Sequence, residues 1–413
     1  MPVLEPRICE QTSGPPVALR PEPAARLVSL DAFRGAVMLL MASSGFGFAA
    51  LSKEFPESPV WTFLARQTEH AAWAGCTLWD FIQPAFMFTV GVALPWSIAH
   101  RRARGETFWR MFGHAVCRAL MLIALGVLLT SAWSQRTEWY FTNVLAQIGL
   151  GYPFLFLLAF SSRRSQWMAA FLILFAYWLA FALYPKPSWP IDDPTWQSIG
   201  VPANWPHLTG FQAHWEKSAN IASAFDRWFL NLFPRDKIFT HSTGGYQTFN
   251  FLPSLATMIF GLLTGGLLQS PGRLPDKLKR LSAAGAIALL LGALLAATGA
   301  CPMIKRVWTP SWALYSGGIV ALVLAGFVAV FERRGAGRCA FPLVVAGLNP
   351  LALYCLWQLT GGFVRGSLET HFGSALFQPL GPVFIPLFQR IWVLLIFWLV
   401  LLWLYRRKIF LRL

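Results

Sequence analysis

The residues best placed to do chemistry lie in the run His70-Ala-Ala-Trp73-Ala-Gly75-Cys76-Thr77-Leu-Trp79-Asp80-Phe-Ile-Gln83-Pro84. It sets an imidazole and a carboxylate among apolar side chains. An imidazole titrates near working pH and can serve as a general base or a nucleophile. His70 taken alone is equally well read as an interfacial side chain. Asp80 says more, because a carboxylate in apolar surroundings is costly and marks a functional site by default. Read as a helix at 100° per residue, the run brings His70, Trp73, Thr77, Asp80 and Pro84 within about 80° of one another. On that stripe Asp80 stands about 15 Å deeper than His70. Pro84 has no N–H for the Asp80 carbonyl four residues back. The stripe then holds a free carbonyl and a carboxylate at one depth, which calls for a cavity. The plainer alternative is an Asp80 paired with a neighbouring helix and a proline kink that shapes packing.

Other polar positions carry less. Ser29-Leu-Asp31-Ala-Phe-Arg34-Gly35 suits a helix start: Ser29 as cap, Asp31 at the positive end of the dipole, Arg34 three residues on. Its functional reading is an anion site near one membrane surface. Asn143 and Gln147 share a helix face, Lys305, Arg306, Trp308 and Thr309 cluster, and Asn349 opens a late apolar block. Each is more often packing or anchoring than chemistry. Arg118 lies within an apolar block and needs an acid or a carbonyl. His207, His214 and His241 lack compact ligand spacing, so no metal is expected.

These residues are positioned by elements that must be membrane helices. Of 413 residues 56% are hydrophobic and only 13% charged, where soluble domains carry roughly a quarter charged. The apolar residues come in blocks of about 20, the length that crosses a hydrocarbon core. Only helices or a closed barrel can span such a core, and long blocks without alternation exclude the barrel. We place the blocks at about 30–50, 70–98, 110–132, 141–160, 166–184, 249–269, 281–300, 310–331, 341–361 and 383–405, with uncertain ends. The fold class is therefore all-α, a polytopic integral membrane helical bundle of about ten transmembrane helices.

The net charge of +16 does not point to nucleic acid. Basic residues recur between every second pair of blocks: Arg101, Arg102, Arg104 and Arg110; Arg163 and Arg164; Arg273, Lys277, Lys279 and Arg280; Arg333, Arg334 and Arg338; and Arg406, Arg407, Lys408 and Arg412. The positive-inside rule puts these loops, and both termini, in the cytoplasm. Residues 1–25 read as a disordered cytoplasmic tail and 26–413 as the membrane domain. Residues 185–248 form a long outward-facing loop rich in Trp. There Ser218–Phe233 has the spacing of a helix lying on a membrane. The loop's aromatics suit either sugar stacking or an interfacial belt with a small aromatic core. Cys301 alone lies near the outer surface, so no structural disulfide is expected.

Five ordered blocks resemble one family. They are "RLVSLDAFRG" from Arg26, "HAAWAGCTLWDFIQPAFMFTVG" from His70, "LPSLATMIFG" from Leu252, "KRVWTPSWAL" from Lys305 and "GLNPLALY" from Gly347. The chain resembles the heparan-α-glucosaminide N-acetyltransferase family of transmembrane acyltransferases, in a bacterial form. The resemblance implies transfer of an acetyl or short acyl group from cytosolic acetyl-CoA, the donor substrate, to an exported amino sugar or envelope glycan. His70 falls on the family's active-site histidine, and Asp80 is carried with it as catalytic. Asp31, Arg34, Trp73, Thr77, Asn143, Gln147, Asn250, Lys305, Trp308 and Asn349 become substrate-binding candidates. The expected setting is a bacterial inner membrane, with the lipid bilayer, acyl-CoA, the glycan and a second copy of the chain as candidate partners. Where the family's block carries Gln-Arg this chain has Ala146-Gln147, and "GGYQTFNF" from Gly244 replaces an acidic run. Both bear on the acceptor. The rival is a transporter or permease with a central polar cavity, which Asp80 and Pro84 suit equally well.

Overall fold

The computed structural model describes residues 27–333 and 339–411. The expected tail 1–25, and Arg334, Arg338 and Arg412, lie outside the described residues. The described residues form helices and connecting turns, with no strand among them. The membrane helices are α1 (Val28–Ala42), α2 (Ile82–Ala103), α3 (Phe108–Ser131), α4 (Val144–Leu158), α5 (Arg163–Leu183), α6 (Phe251–Gln269), α7 (Leu274–Ala297), α8 (Pro310–Val328), α9 (Phe341–Leu348), α10 (Pro350–Phe372) and α11 (Ile385–Arg406).

Among the described residues, eight helical segments are long and apolar enough to cross a bilayer. The pair α9 and α10, bent by 78° at Asn349, can supply one more span. Apolar α4 has only 15 residues, about 22 Å at 1.5 Å per residue, which is short of a full crossing. These segments account for all ten apolar blocks, and the chain is a polytopic helical membrane protein.

Three blocks are less regular than expected. The block at 30–50 breaks after Ala42, where Gly45, Phe46 and Gly47 take positive φ of 65°, 49° and 73°. The block at 341–361 breaks at Asn349. The third departure matters most. Residues 70–77 are not helical, and the helix there begins only at Leu78 with a short 3-10 turn. The single stripe from His70 to Pro84 is thereby corrected. Asp80 sits at the start of its span, and Pro84 sits early in α2, four residues after it.

The centre of the bundle is α6. The most apolar window of its span is 72% buried, against 11% for that of α11. Helix α2 lies against α6 at backbone distance: a Cβ on Gly91 would strike the Met258 carbonyl, and one on Gly261 the Phe88 carbonyl. Small residues at such crossings are how membrane helices gain close packing without a hydrophobic driving force.

The segment between α5 and α6 is folded. Its helix Ile221–Phe229 is capped by Asn220, whose Oδ1 accepts from the Ser223 N–H at 3.0 Å. Trp196 and Trp215 are buried, and Phe181 of α5 stacks on Trp215 at 5.9 Å. Phe225 stacks on Phe249 at 4.0 Å. These contacts build a small aromatic core docked on the bundle.

Candidate functional site

The site grows from the cap of α2. Thr77 and Asp80 form a capping box: the Thr77 side chain takes the Asp80 N–H, and the Asp80 carboxylate takes the Thr77 N–H at 3.0 Å. The same oxygen, Oδ2, accepts from the Ala71 N–H at 3.2 Å. The Thr77 hydroxyl gives its one proton to the Glu69 carbonyl, 2.6 Å away. The positive end of the helix stabilises the carboxylate here. Its other oxygen, Oδ1, lies 2.7 Å from His70 Nδ1. The preceding loop reaches this point because Gly75 takes φ 105° and donates its N–H to the Met303 carbonyl at 2.8 Å.

Lys305 arrives from the loop between α7 and α8. Its Nζ lies 3.5 Å from Asp80 Oδ1 and 3.1 Å from His70 Nδ1. His70 Nδ1 cannot donate to Asp80 and accept from Lys305 at once. The shorter contact takes the proton, so Nδ1–H points to Asp80 and Lys305 pairs with the carboxylate. That leaves Nε2 as the ring's acceptor, with Lys305 Nζ 3.5 Å from it. The imidazole is partly exposed, whereas Asp80 is 1% exposed.

Burial pushes the His70 pKa below its usual value, with the Asp80 bond opposing and Lys305 lowering it further. Neutral at pH 7, it is available as a base. Burial brings Lys305 down to about 8, against the attraction of Asp80. Tyr246 completes the group. Its hydroxyl is 3.4 Å from Lys305 Nζ, and burial raises it to about 12, so it stays protonated.

His70, Lys305 and Tyr246 line a cavity of about 340 Å³ between the helices. Met38 and Met41 of α1, Gln83 and Phe86 of α2, Asn143, and Tyr354 and Trp357 of α10 supply the rest of its principal wall. A lining of this kind, apolar with a few polar groups among it, is typical of a small-molecule site.

The expected site residues divide in two. Close to His70 stand Asp80, Thr77, Lys305 and Trp73, whose Nε1 donates to the Trp215 carbonyl at 3.1 Å. Asn143 caps α4 through Oδ1, accepting from Ala146 N–H at 2.9 Å, and faces the cavity. Asn250 acts at one remove, donating to the Arg306 carbonyl at 2.9 Å. The others lie away from the cavity wall. Gln147 donates to the carbonyls of Phe141 and Thr248. Trp308 donates to Thr257 Oγ1 at 3.2 Å in the core. Arg34 donates to the Thr89 carbonyl at 3.1 Å, and Asp31 is buried. Asn349 bonds to the backbone of Ile409 and Leu411. Arg34 and Asn349 lie about one helical turn beyond the wall residues Met38 and Tyr354. Tyr246 joins the site although no spacing marked it, because a separate loop delivers it, whereas Arg306, marked as a neighbour of Lys305, arrives on the same loop as that lysine.

No group of three metal-ligating side chains occurs among the described residues. His214 Nδ1 lies 2.7 Å from the Tyr184 carbonyl, and His207 lies 3.6 Å from Glu216.

No protein-family model matches the chain. It is similar to the human heparan-α-glucosaminide N-acetyltransferase, with 24% identity over 373 residues, covering 80% of this chain and 52% of the human protein. The mouse protein of the same name is 23% identical over 375 residues, covering 80% of this chain and 53% of its own length. The chain is thus similar over most of its length to the heparan-α-glucosaminide N-acetyltransferases, and spans about half the length of those relatives.

Proposed function

We propose that the chain is a membrane-embedded acyltransferase, a bacterial inner-membrane relative of those N-acetyltransferases. In this reading it moves an acetyl or short acyl group from cytosolic acyl-CoA to an amino sugar or glycan on the outer side. The observation that carries it is the Asp80–His70–Lys305 cluster, two of whose members line a largely apolar cavity. Asp80 fixes the imidazole tautomer, and Nε2 takes a proton from the acceptor amine or hydroxyl as that atom attacks the thioester carbonyl. The new C–N or C–O bond forms, the C–S bond breaks, and the proton passes from Nε2 to the departing CoA thiolate. Lys305, facing the same cavity, stabilises the oxyanion of the tetrahedral intermediate. An acetyl-imidazole route through Nε2 uses the same residues.

The cavity's apolar wall suits a pantetheine arm, and Arg34, about one turn beyond Met38, suits an anionic part of the donor. The rival transporter reading loses support in the structure. It drew on a carboxylate and a proline-freed carbonyl deep in a helix, whereas Asp80 is committed to a helix cap and to His70. The test is release of CoA thiol by the purified chain in proteoliposomes, with a panel of amino sugars and envelope glycans. Thioester cleavage that depends on an acceptor supports the proposal. Substrate flux without thioester cleavage rejects it.

A further inference from the structure

Beside the His70 cluster stands a second group of cations with no acid paired to them among the described residues. Lys217 is 6% exposed, yet its ammonium makes no ion pair among the described residues. Its contact is the face of Trp205, 4.6 Å from Nζ to the ring centre. The adjacent carboxylate, Glu216, is occupied elsewhere: Oε1 accepts from Trp205 Nε1 and the Lys217 N–H at 2.9 Å each, and Oε2 accepts from the Leu208 N–H at 2.7 Å. Arg306 is similar. Its side chain donates to the carbonyls of Ala71 and Gly244, with no carboxylate partner among the described residues. Arg306 lies close enough to Lys217 to depress its pKa further, after burial itself, and Lys217 does the same to His241.

A largely covered lysine whose ammonium has no counter-ion is unfavourable. Holding a guanidinium near it adds repulsion. Such an arrangement is explained if an anion completes it. The group is continuous with the site already described. Trp73, three residues from His70, packs edge-on to Trp205 at 5.8 Å. The Tyr246 ring contacts both the Lys305 ammonium, at 5.6 Å, and the Arg306 guanidinium, at 5.5 Å.

We propose that Lys217 and Arg306 form an anion subsite that selects an acceptor bearing a carboxylate or a phosphate, held so that its amine faces His70. The inference rests on the acyl-transfer reading for the role of the amine, though not for the subsite itself. Lys217 and Arg306 are specificity-determining residues here, with the aromatic faces of Trp205 and Tyr246 flanking the sugar.

The test uses the full chain in detergent and three amino sugars that differ in charge: glucosamine, muramic acid with its carboxylate, and glucosamine 6-phosphate. Titration calorimetry measures each affinity, and acetyl-CoA affinity is measured alongside. At least one charged sugar should bind roughly tenfold more tightly than glucosamine, the size of one charge-assisted hydrogen bond. Which of the two gains identifies the anion. Lys217→Met should abolish the preference while leaving glucosamine and acetyl-CoA binding unchanged, and Lys217→Arg should retain it. Equal affinities in the wild type, or a preference that survives Lys217→Met, overturn the subsite. Weaker acetyl-CoA binding in Lys217→Met, with the sugars unaffected, assigns the cations to the donor's phosphates and overturns it too. A charge preference without thioester cleavage for any sugar leaves the subsite standing and removes the acyl-transfer reading instead.

Discussion

Replacing Asp80 by Asn tests the cluster with little change of shape. Oδ2 accepts the N–H groups of Ala71 and Thr77, and Oδ1 faces His70 Nδ1. An Asn side chain has one acceptor oxygen. Turning its NH2 toward the two backbone donors would leave both unsatisfied, at about 1–3 kcal/mol each. The carbonyl oxygen therefore stays with the backbone, and the NH2 meets His70. His70 Nδ1 must then accept, which moves the ring proton to Nε2 and removes the lone pair that serves as base. General base catalysis is worth about 10²–10⁴ in rate, or about 2.7–5.5 kcal/mol of barrier. We expect Asp80→Asn to lower kcat by about that factor, with a folded, monodisperse protein and acetyl-CoA affinity kept. Thiol release from acetyl-CoA with a competent acceptor measures it. A folded Asp80→Asn variant with kcat within about threefold of wild type would refute the tautomer argument.

Two further outcomes follow from the geometry. Activity should be lost below the depressed His70 pKa, as the base protonates, and again above about 8, as Lys305 loses its charge. Lys305→Met removes a neighbouring cation that holds the His70 pKa down, so the acid limb should move to higher pH and the alkaline limb should disappear; an alkaline limb unchanged in the variant contradicts the assignment. At the α2–α6 crossing, Gly91→Leu should push the helices apart and lower stability by about 1–3 kcal/mol or more, read as a fall in Tm, whereas Gly326→Leu, with nothing within 4 Å of its Cβ position, should be tolerated; equal effects of the two changes contradict the packing.

The membrane bundle was legible because lipid permits few solutions. Apolar blocks of spanning length appear as helices, and even the irregular ones appear at the right places. The site was legible by residue type but not by geometry. Reading 70–84 as one helix separated His70 from Asp80 by about 15 Å, whereas they touch at 2.7 Å. The signal against that helix was present: Thr77-Leu-Trp-Asp80 before an apolar run is a capping box, and Pro84 belongs in a first turn. Periodicity outweighed capping in the reading, although Gly75 also marks a break. Lys305 was marked only as a member of a cluster, because its partner lies 225 positions away in the chain. Tyr246 and Lys217 carry no local pattern at all. Their place is set by how the segment between α5 and α6 folds back on the bundle.

The central claim is that the chain moves an acyl group from CoA to an acceptor across the membrane domain, and that the reaction depends on His70. The most direct measurement encloses an amino sugar acceptor inside proteoliposomes and supplies radiolabelled acetyl-CoA outside, for wild type and His70→Ala at equal folded yield. On the proposed topology, it is the chains whose Arg406 end faces the outside that meet the donor. The expected result is labelled acceptor in the lumen with wild type and none with His70→Ala. Labelled acceptor formed equally well by His70→Ala, or no label transferred by wild type to any acceptor that it binds, would contradict the account.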